Sequence, residues 1–536
     1  MLFHEAIARS LADQGVTEIF GLLGDANLYM MDSFVKVTGG TFYSVSNEAG
    51  GVLAANGYAR ATGGLGVATV THGPALTNTV TALVESVRER TPLLLVAGDT
   101  AVVDNENFQN ISQRDVVLPT GAGFEQVRSV DTACEDVAVA VRRAFTEQRP
   151  IVLNVPVEFQ WQETTYTPAS GRRWHAPQPF VPSLGSLDAA LGIVASAKRP
   201  VVLAGRGVWD EEARAAVLRF ARRIGAPVAT TLRARDLFRG DPHNLGVHGT
   251  LSHQIALDTI DKADCLVAFG ASLNKWTTAE GALLDGKAVV QVDSDPAALG
   301  RHQTVDAVVH GDSGAVADLL IEQLDEAEIK PTGFATPELA QRLSERSDAD
   351  FKDLGTDTTV DIRSAILRID AAFPQDRSLV FDAGRFIFNC FTMFHVEHPR
   401  DYHHTINFGS IGLGMGNAIG AAAGGGKPTL LVTGDGGFML GGLAEFNTAV
   451  RHGLDLVVVM FNDSAYGAEH IQFRNKEMDP TPSMFDWPEF APVADALGGK
   501  GYTVRNLAEL DAVLAELPHR DRPVLIDIKV DPDRVA

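Results

Sequence analysis

"GDGGFMLGGLAEFNTAVRHGLDLVVVMFND", residues 434–463, opens on a glycine turn and closes on an Asn-Asp pair. The preceding "LLVT" (430–433) reads as a buried strand, "LGGLAEFNTAVRHG" carries apolar residues at helical spacing, and "LDLVVVMF" is a second short apolar strand. Strand, turn, helix and strand make one unit, whose two strands should lie parallel with their carboxyl ends at the same edge of a sheet. That geometry predicts Asp435 beside Asn462. Glycines at a helix start let backbone N–H groups approach an anion, and a carboxylate with a side-chain amide forms an oxygen-only pair suited to Mg2+, which completes its shell with phosphate oxygens and water. The stretch therefore reads as a metal-bridged diphosphate site on a parallel α/β sheet.

The same alternation runs outward from it. "GLGVATVT", "NTVTALVESVRER" and "PLLLVAG" repeat it between residues 64 and 98, and "RPVVLAGRGVW" (199–209) opens a further block. The period weakens at about 160–187, rich in Pro, Thr and Ser, and again in the charged stretch that follows residue 321. A chain of 536 residues exceeds one core, so three open parallel-sheet αβα domains are expected, at 1–165, 187–325 and 355–536.

Composition narrows the partners. A formal charge of −23 repels nucleic acid and anionic lipid, and no basic stripe offsets it. The longest apolar runs are too short to cross a bilayer, and "MLFHEAIARSLADQG" lacks the order of a signal peptide, so a cytoplasmic protein is expected. Cys134, Cys265 and Cys390 are isolated and read as small buried hydrophobes.

Asn462 follows Asp435 by 27 positions, and Gly-Asp-Gly followed at that spacing by Asn resembles the signature of the thiamine-diphosphate enzymes that act on 2-oxo acids. The resemblance implies Asp435, Asn462 and the backbone carbonyl of Ser464 as Mg2+ ligands. It gives Gly434, Gly436 and Gly437 to the diphosphate, helped by Gly384, Arg385 and Phe386 of "DAGRF" (382–386), with Ala465 and Tyr466 close by. A second match, "GSIGLGMG" (409–416), makes Ile411 the residue that bends the cofactor; Gly409, Ser410 and Ile411 would border its pyrimidine ring. A third, "VSNEAGGVLAANGYARATG" (45–63), places the family's glutamate at Glu48. A carboxyl group set among apolar residues such as Val45, Val52 and Leu53 suits sharing a proton with a ring nitrogen, the step that activates the thiazolium carbon. In this family that glutamate and the diphosphate site come from different subunits, so a homodimer or homotetramer is implied.

"THGPALTN" (71–78) and "NFQNISQRDVVLP" (107–119) bring the chain nearest to the acetolactate synthase and acyloin-forming branch. It departs from that synthase at Asn47, where a His is usual, at His72, where a Ser is usual, and at Thr120-Gly121-Ala122, which lacks the usual basic residue. Asp25 sits where pyruvate decarboxylases carry a substrate-facing Asp, yet Phe108 and Gln109 stand at their His pair. Asp25, His72 and Gln113 are the candidates for orienting a carbonyl substrate and moving its proton. The expected activity is decarboxylation of a 2-oxo acid and ligation to a second carbonyl. The alternatives are a lyase or hydrolase of 1,2-diketones or acyloins and a non-catalytic regulatory homologue. "GRG" (205–207) and "DSD" (293–295) resemble flavin-binding turns of some relatives, but such turns also occur without flavin, so FAD is not favoured. "HVEHPRDYHH" (395–404) matches no zinc spacing and reads as a polar active-site or interface loop.

Overall fold

The computed structural model describes residues 1–104, 106–168 and 178–534; the part of the expected first linker at 169–177 lies outside them. The alternating pattern folds as three six-stranded, all-parallel sheets flanked by helices. The first orders its strands Thr41–Ser44, Glu18–Gly21, Gly66–Val70, Leu93–Asp99, Pro150–Pro156, Gly123–Gln126. The third repeats that topology with Tyr402–His404, Ser378–Phe381, Thr429–Gly434, Leu456–Asn462, Val524–Lys529, Lys500–Val504. In the second, the order Ala307–His310, Ala288–Asp293, Cys265–Phe269, Pro200–Ala204, Val228–Thr230, Asn244–Val247 reverses direction between Pro200–Ala204 and Cys265–Phe269, as in dinucleotide-binding sheets.

Two compact units result. One comprises Met1–His175, Lys352–Cys390 and Asp401–Ala536, and holds the first and third sheets; the other comprises Ala176–Phe351 and Phe391–Arg400. Within the first unit, helices Glu48–Thr62 and Gly414–Gly425 pack backbone against backbone. Their glycines allow it: a Cβ on Gly420 would stand 1.8 Å from the Ala54 carbonyl oxygen, and one on Gly57 would stand 2.0 Å from that of Asn417. At the crossing the buried Asn56 amide donates to the Asn417 side chain at 2.8 Å. Val52, Leu53, Met415, Ile419, Phe438 and Phe446 share one core there. Gly420→Ala should force this pair apart, costing about 1–3 kcal/mol, read as a lowered thermal unfolding midpoint.

In the second unit, Asp210 and Asp312 cap the helices Glu211–Ile224 and Ser313–Glu326 by accepting from two backbone N–H groups each. There Asp236 accepts from His395 at 3.1 Å and from the Val396 N–H at 3.0 Å. Residues 402–404, in contrast to the polar loop expected over 395–404, form the edge strand of the third sheet, with His403 buried. Cys265 and Cys390 are buried as expected, but Cys134 is half-buried. Among the described residues no helix is long and apolar enough to cross a membrane.

Candidate active site

Parallel pairing carries Asp435 to Asn462. Strands Thr429–Gly434 and Leu456–Asn462 register Gly434 against Phe461, so the next residue of each emerges at the same edge. Strand Ser378–Phe381 pairs with Thr429–Gly434 on the other side, and because the strand order reverses between these two, a crevice opens at their carboxyl ends. The turn after 381, the turn after 434 and the loop 409–412 meet there. Gly412 N–H donates to both Asp382 carboxylate oxygens at 3.1 and 3.0 Å, and the Thr433 hydroxyl donates to the same group at 3.1 Å. A Cβ on Gly441 would lie 2.1 Å from the Gly412 oxygen, and one on Gly437 would lie 2.8 Å from Asp382 Oδ2. Asp382 is fully buried, which pushes its carboxyl up to about 6.

The helix starts on Asp435 directly after the strand, passes through a π-helical turn at Phe438–Gly442 and continues as Leu443–Arg451. π-turns of this kind collect at functional sites. Asp435 is buried and its Oδ2 accepts from the Trp487 indole N–H at 2.8 Å. Burial, then the neighbouring Asp463, push its carboxyl up to about 7. Asn462 donates its amide to Asp527 at 2.9 Å, which fixes which way its oxygen faces; that oxygen accepts from Ser464 N–H at 3.0 Å. Ser464 takes the left-handed region at φ 52°, an uncommon conformation for a residue with a Cβ, and its carbonyl accepts from Phe485 N–H at 2.8 Å, leaving one lone pair.

Asp435, the Asn462 oxygen and the Ser464 carbonyl are hard oxygen donors of the type Mg2+ takes. Two buried carboxylates, Asp435 and Asp463, lie within reach of each other's charge, and Arg385 pairs with Asp463 at 2.7 Å. A divalent cation fits as counter-charge to Asp435. The Arg385 guanidinium also donates to the carbonyls of Asp531 and Pro532, at 2.7 and 3.2 Å. Its cation is thus committed to holding the 463 turn. Gly384 and the buried Phe386 sit at the same turn, Phe386 tilted against Phe461 at 5.7 Å. Tyr466 crosses Gly436, whose Cβ would lie 2.8 Å from its ring, and Ala465 is buried behind it. Gly409 (φ 80°) and Ser410 lead to the half-buried Ile411.

The first sheet repeats the topology, and its matching crevice holds the predicted substrate residues. Asp25 Oδ1 accepts from the Thr71 hydroxyl at 2.9 Å and faces His72 Nε2 at 3.4 Å. The imidazole is buried, with no hydrogen-bond partner for Nδ1 among the described residues. Gln113 supports the same turn. It is buried, accepts from Gly73 N–H at 2.9 Å and donates to the Gly98 oxygen at 2.7 Å and to Asn154 at 2.5 Å, so its amide is spent on holding the His72 turn.

Glu48 is the first residue of helix Glu48–Thr62, half-buried, and accepts from the Asn78 amide at 3.0 Å. Val45, Val52 and Leu53, close to it in sequence, are buried. Asn47 caps the helix by accepting from Ala49 N–H at 2.8 Å. The turn before it is held by a residue that sequence reasoning missed: the buried Glu445 of helix Leu443–Arg451 accepts from Ser46 and Asn47 N–H at 3.0 and 2.9 Å. Glu445 lies ten residues past Asp435, so one helix runs from the candidate metal turn to the support of Glu48.

Three family models match the chain. The chain matches "Thiamine pyrophosphate enzyme, N-terminal TPP binding domain" over residues 1–117, the central domain over 187–320 and the C-terminal TPP binding domain over 382–528. The chain belongs to the thiamine pyrophosphate enzyme family. Its three αβα domains follow that family's N-terminal, central and C-terminal order. Among thiamine pyrophosphate enzymes it is 28% identical to sulfoacetaldehyde acetyltransferase of Castellaniella defragrans, over 95% of this chain and 89% of that one. It is 29% identical to the enzyme of that name from Roseovarius nubinhibens, over 96% and 89%. It is 27% identical to the probable acetolactate synthase large subunit of Methanocaldococcus jannaschii, over 98% and 92%.

Proposed function

We propose that this thiamine pyrophosphate enzyme is a Mg2+-dependent carbon–carbon lyase or ligase that takes a 2-oxo acid as donor and a second carbonyl as acceptor. The observation that carries the reading is the convergence of Asp435, Asn462 and the Ser464 carbonyl at one crevice of the third sheet, beside the glycine turn and the Gly409–Ile411 loop. When bound, thiamine diphosphate supplies a nucleophilic thiazolium carbon and an electron sink. Asp435, Asn462 and Ser464 would hold the metal, and Gly434, Gly436 and Gly437 would bring backbone N–H groups to the diphosphate. Ile411 would press on the cofactor's bend, while Glu48 exchanges a proton with the pyrimidine ring. His72 would pass a proton at Nε2 to or from the substrate oxygen, oriented by Asp25.

By the family resemblance Glu48 and the metal turn would come from different subunits, so two copies paired through these edges would complete each site. Phe108, Leu440 and Phe388 are 94, 65 and 61% exposed on the single chain, apolar surface suited to such a contact.

Electrostatics bears on the acceptor. The Asp25 side chain is 70% exposed beside His72 and would repel a second carboxylate, while Thr120, Gly121 and Ala122 bring no cation to hold one. Those features favour an uncharged carbonyl, such as an aldehyde without an acidic group, as acceptor. They also keep open a second reading, cleavage of a 1,2-diketone or acyloin without loss of carbon dioxide. Mass spectrometry of products from protein loaded with Mg2+ and thiamine diphosphate, offered 2-oxo acids with aldehydes or diketones alone, separates the two. The first reading expects carbon dioxide and a ligated hydroxyketone; cleavage products from the diketone alone would support the second. Binding without turnover on the whole panel would favour a regulatory homologue.

A further inference from the structure

The loop Gly409–Ile411 spans three residues between two buried carboxylates. Asp382 holds its far end through Gly412. Its near end is held by Glu85, on helix Val80–Glu89 of the first domain, more than three hundred residues away in sequence. Glu85 is buried; one oxygen accepts from the Asn407 N–H and side-chain amide at 3.2 and 2.6 Å, the other from Phe408 N–H at 2.7 Å. The Asn407 amide also donates to Glu89 at 2.7 Å. Glu89 pairs with Arg60, which donates in turn to the Tyr402 carbonyl at 2.8 Å. Arg88 closes the outer side, donating to the Asn407 carbonyl at 2.9 Å with its guanidinium 4.8 Å from the Phe408 ring centre.

Burying two carboxylates one helical turn apart costs stability, and an apolar contact would anchor a loop more cheaply. Three N–H donors converging on one acidic group instead fix position and orientation together. We propose that Glu85 is a positioning residue for the cofactor loop, clamping Asn407 and Phe408 so that Gly409–Ile411 presents its backbone and the Ile411 side chain to the pyrimidine half of the cofactor. The inference rests on the reading of that loop given above. It means that the first domain of a chain shapes the cofactor site carried by the third domain of the same chain. Glu85 itself does not touch the cofactor.

The test separates the two halves of the ligand. In Glu85→Gln the side chain keeps its size, but its amide faces an N–H group and loses at least one of the three bonds. Calorimetric titration should find thiamine diphosphate bound about 10- to 100-fold more weakly than by the unmodified protein, the loss expected for hydrogen bonds to a charged group. Inorganic diphosphate with Mg2+, which occupies only the metal turn, should bind within twofold of the unmodified protein. Asn407→Ala provides the same comparison should Glu85→Gln fail to fold. Equal weakening of both ligands, or of neither, would overturn the clamp. Failure of the unmodified protein to bind either ligand would instead overturn the cofactor reading beneath it.

Discussion

Glu48→Gln is expected to abolish exchange of the thiazolium C2 proton with solvent in the cofactor-loaded protein and to lower turnover by about a hundred- to ten-thousand-fold, the worth of a positioned acid or base. The substitution is nearly isosteric, and the helix start does not depend on Glu48, because Asn47 caps it and Glu445 holds the turn before it. The Asn78 amide can still meet the glutamine oxygen. Thermal unfolding should therefore be nearly unchanged, so that the loss reports proton transfer and not folding. Deuterium exchange at C2, followed by NMR after acid quench, checks it; near-normal exchange would remove Glu48 from the proton relay.

Asp435→Asn should move stability and binding in opposite directions. In the fold the Asp435 carboxyl is buried near Asp463 and keeps its proton up to about pH 7, against an ordinary 3.8. Stability from this group is thus present at low pH and lost as pH rises through about 7. A neutral amide escapes that loss and can still accept from Trp487. The metal-free D435N protein should unfold at a higher temperature than the unmodified one above pH 7, with the gap closing towards pH 4. Its affinity for thiamine diphosphate in Mg2+ should fall by at least about a hundredfold, since removal of even an outer partner of a metal ligand costs 10- to 100-fold. A metal-free D435N protein that is less stable at high pH would contradict this electrostatic picture.

Asp435 and Asn462 were legible in the sequence because strand periodicity and the parallel rule leave one place for both, the shared edge beyond Gly434 and Phe461. The alternation of short apolar strands with helical segments likewise specified parallel αβα domains. Other parts of the site carry no local signal. Asp382, Glu85, Glu445 and Trp487 act across separations from 30 residues to about 400, and even where a motif surrounds them, as at Asp382 and Glu445, nothing in the sequence points to these partners. Arg385 and Gln113 show how far a local signal reaches. Their chemistry suits phosphate and carbonyl oxygens, yet in the fold Asp463 and the backbone around Gly73 claim them first. Buried polar groups find partners within the protein, and sequence alone does not show which partner wins.

The most direct test of the site is calorimetric titration of thiamine diphosphate into the metal-free protein, with Mg2+ or with a chelator. Saturable binding of one cofactor per chain that requires Mg2+, and is lost in D435N, is expected. Binding of equal strength in chelator, or undiminished binding by D435N, would contradict the assignment of Asp435, Asn462 and Ser464 as the metal-bridged diphosphate site.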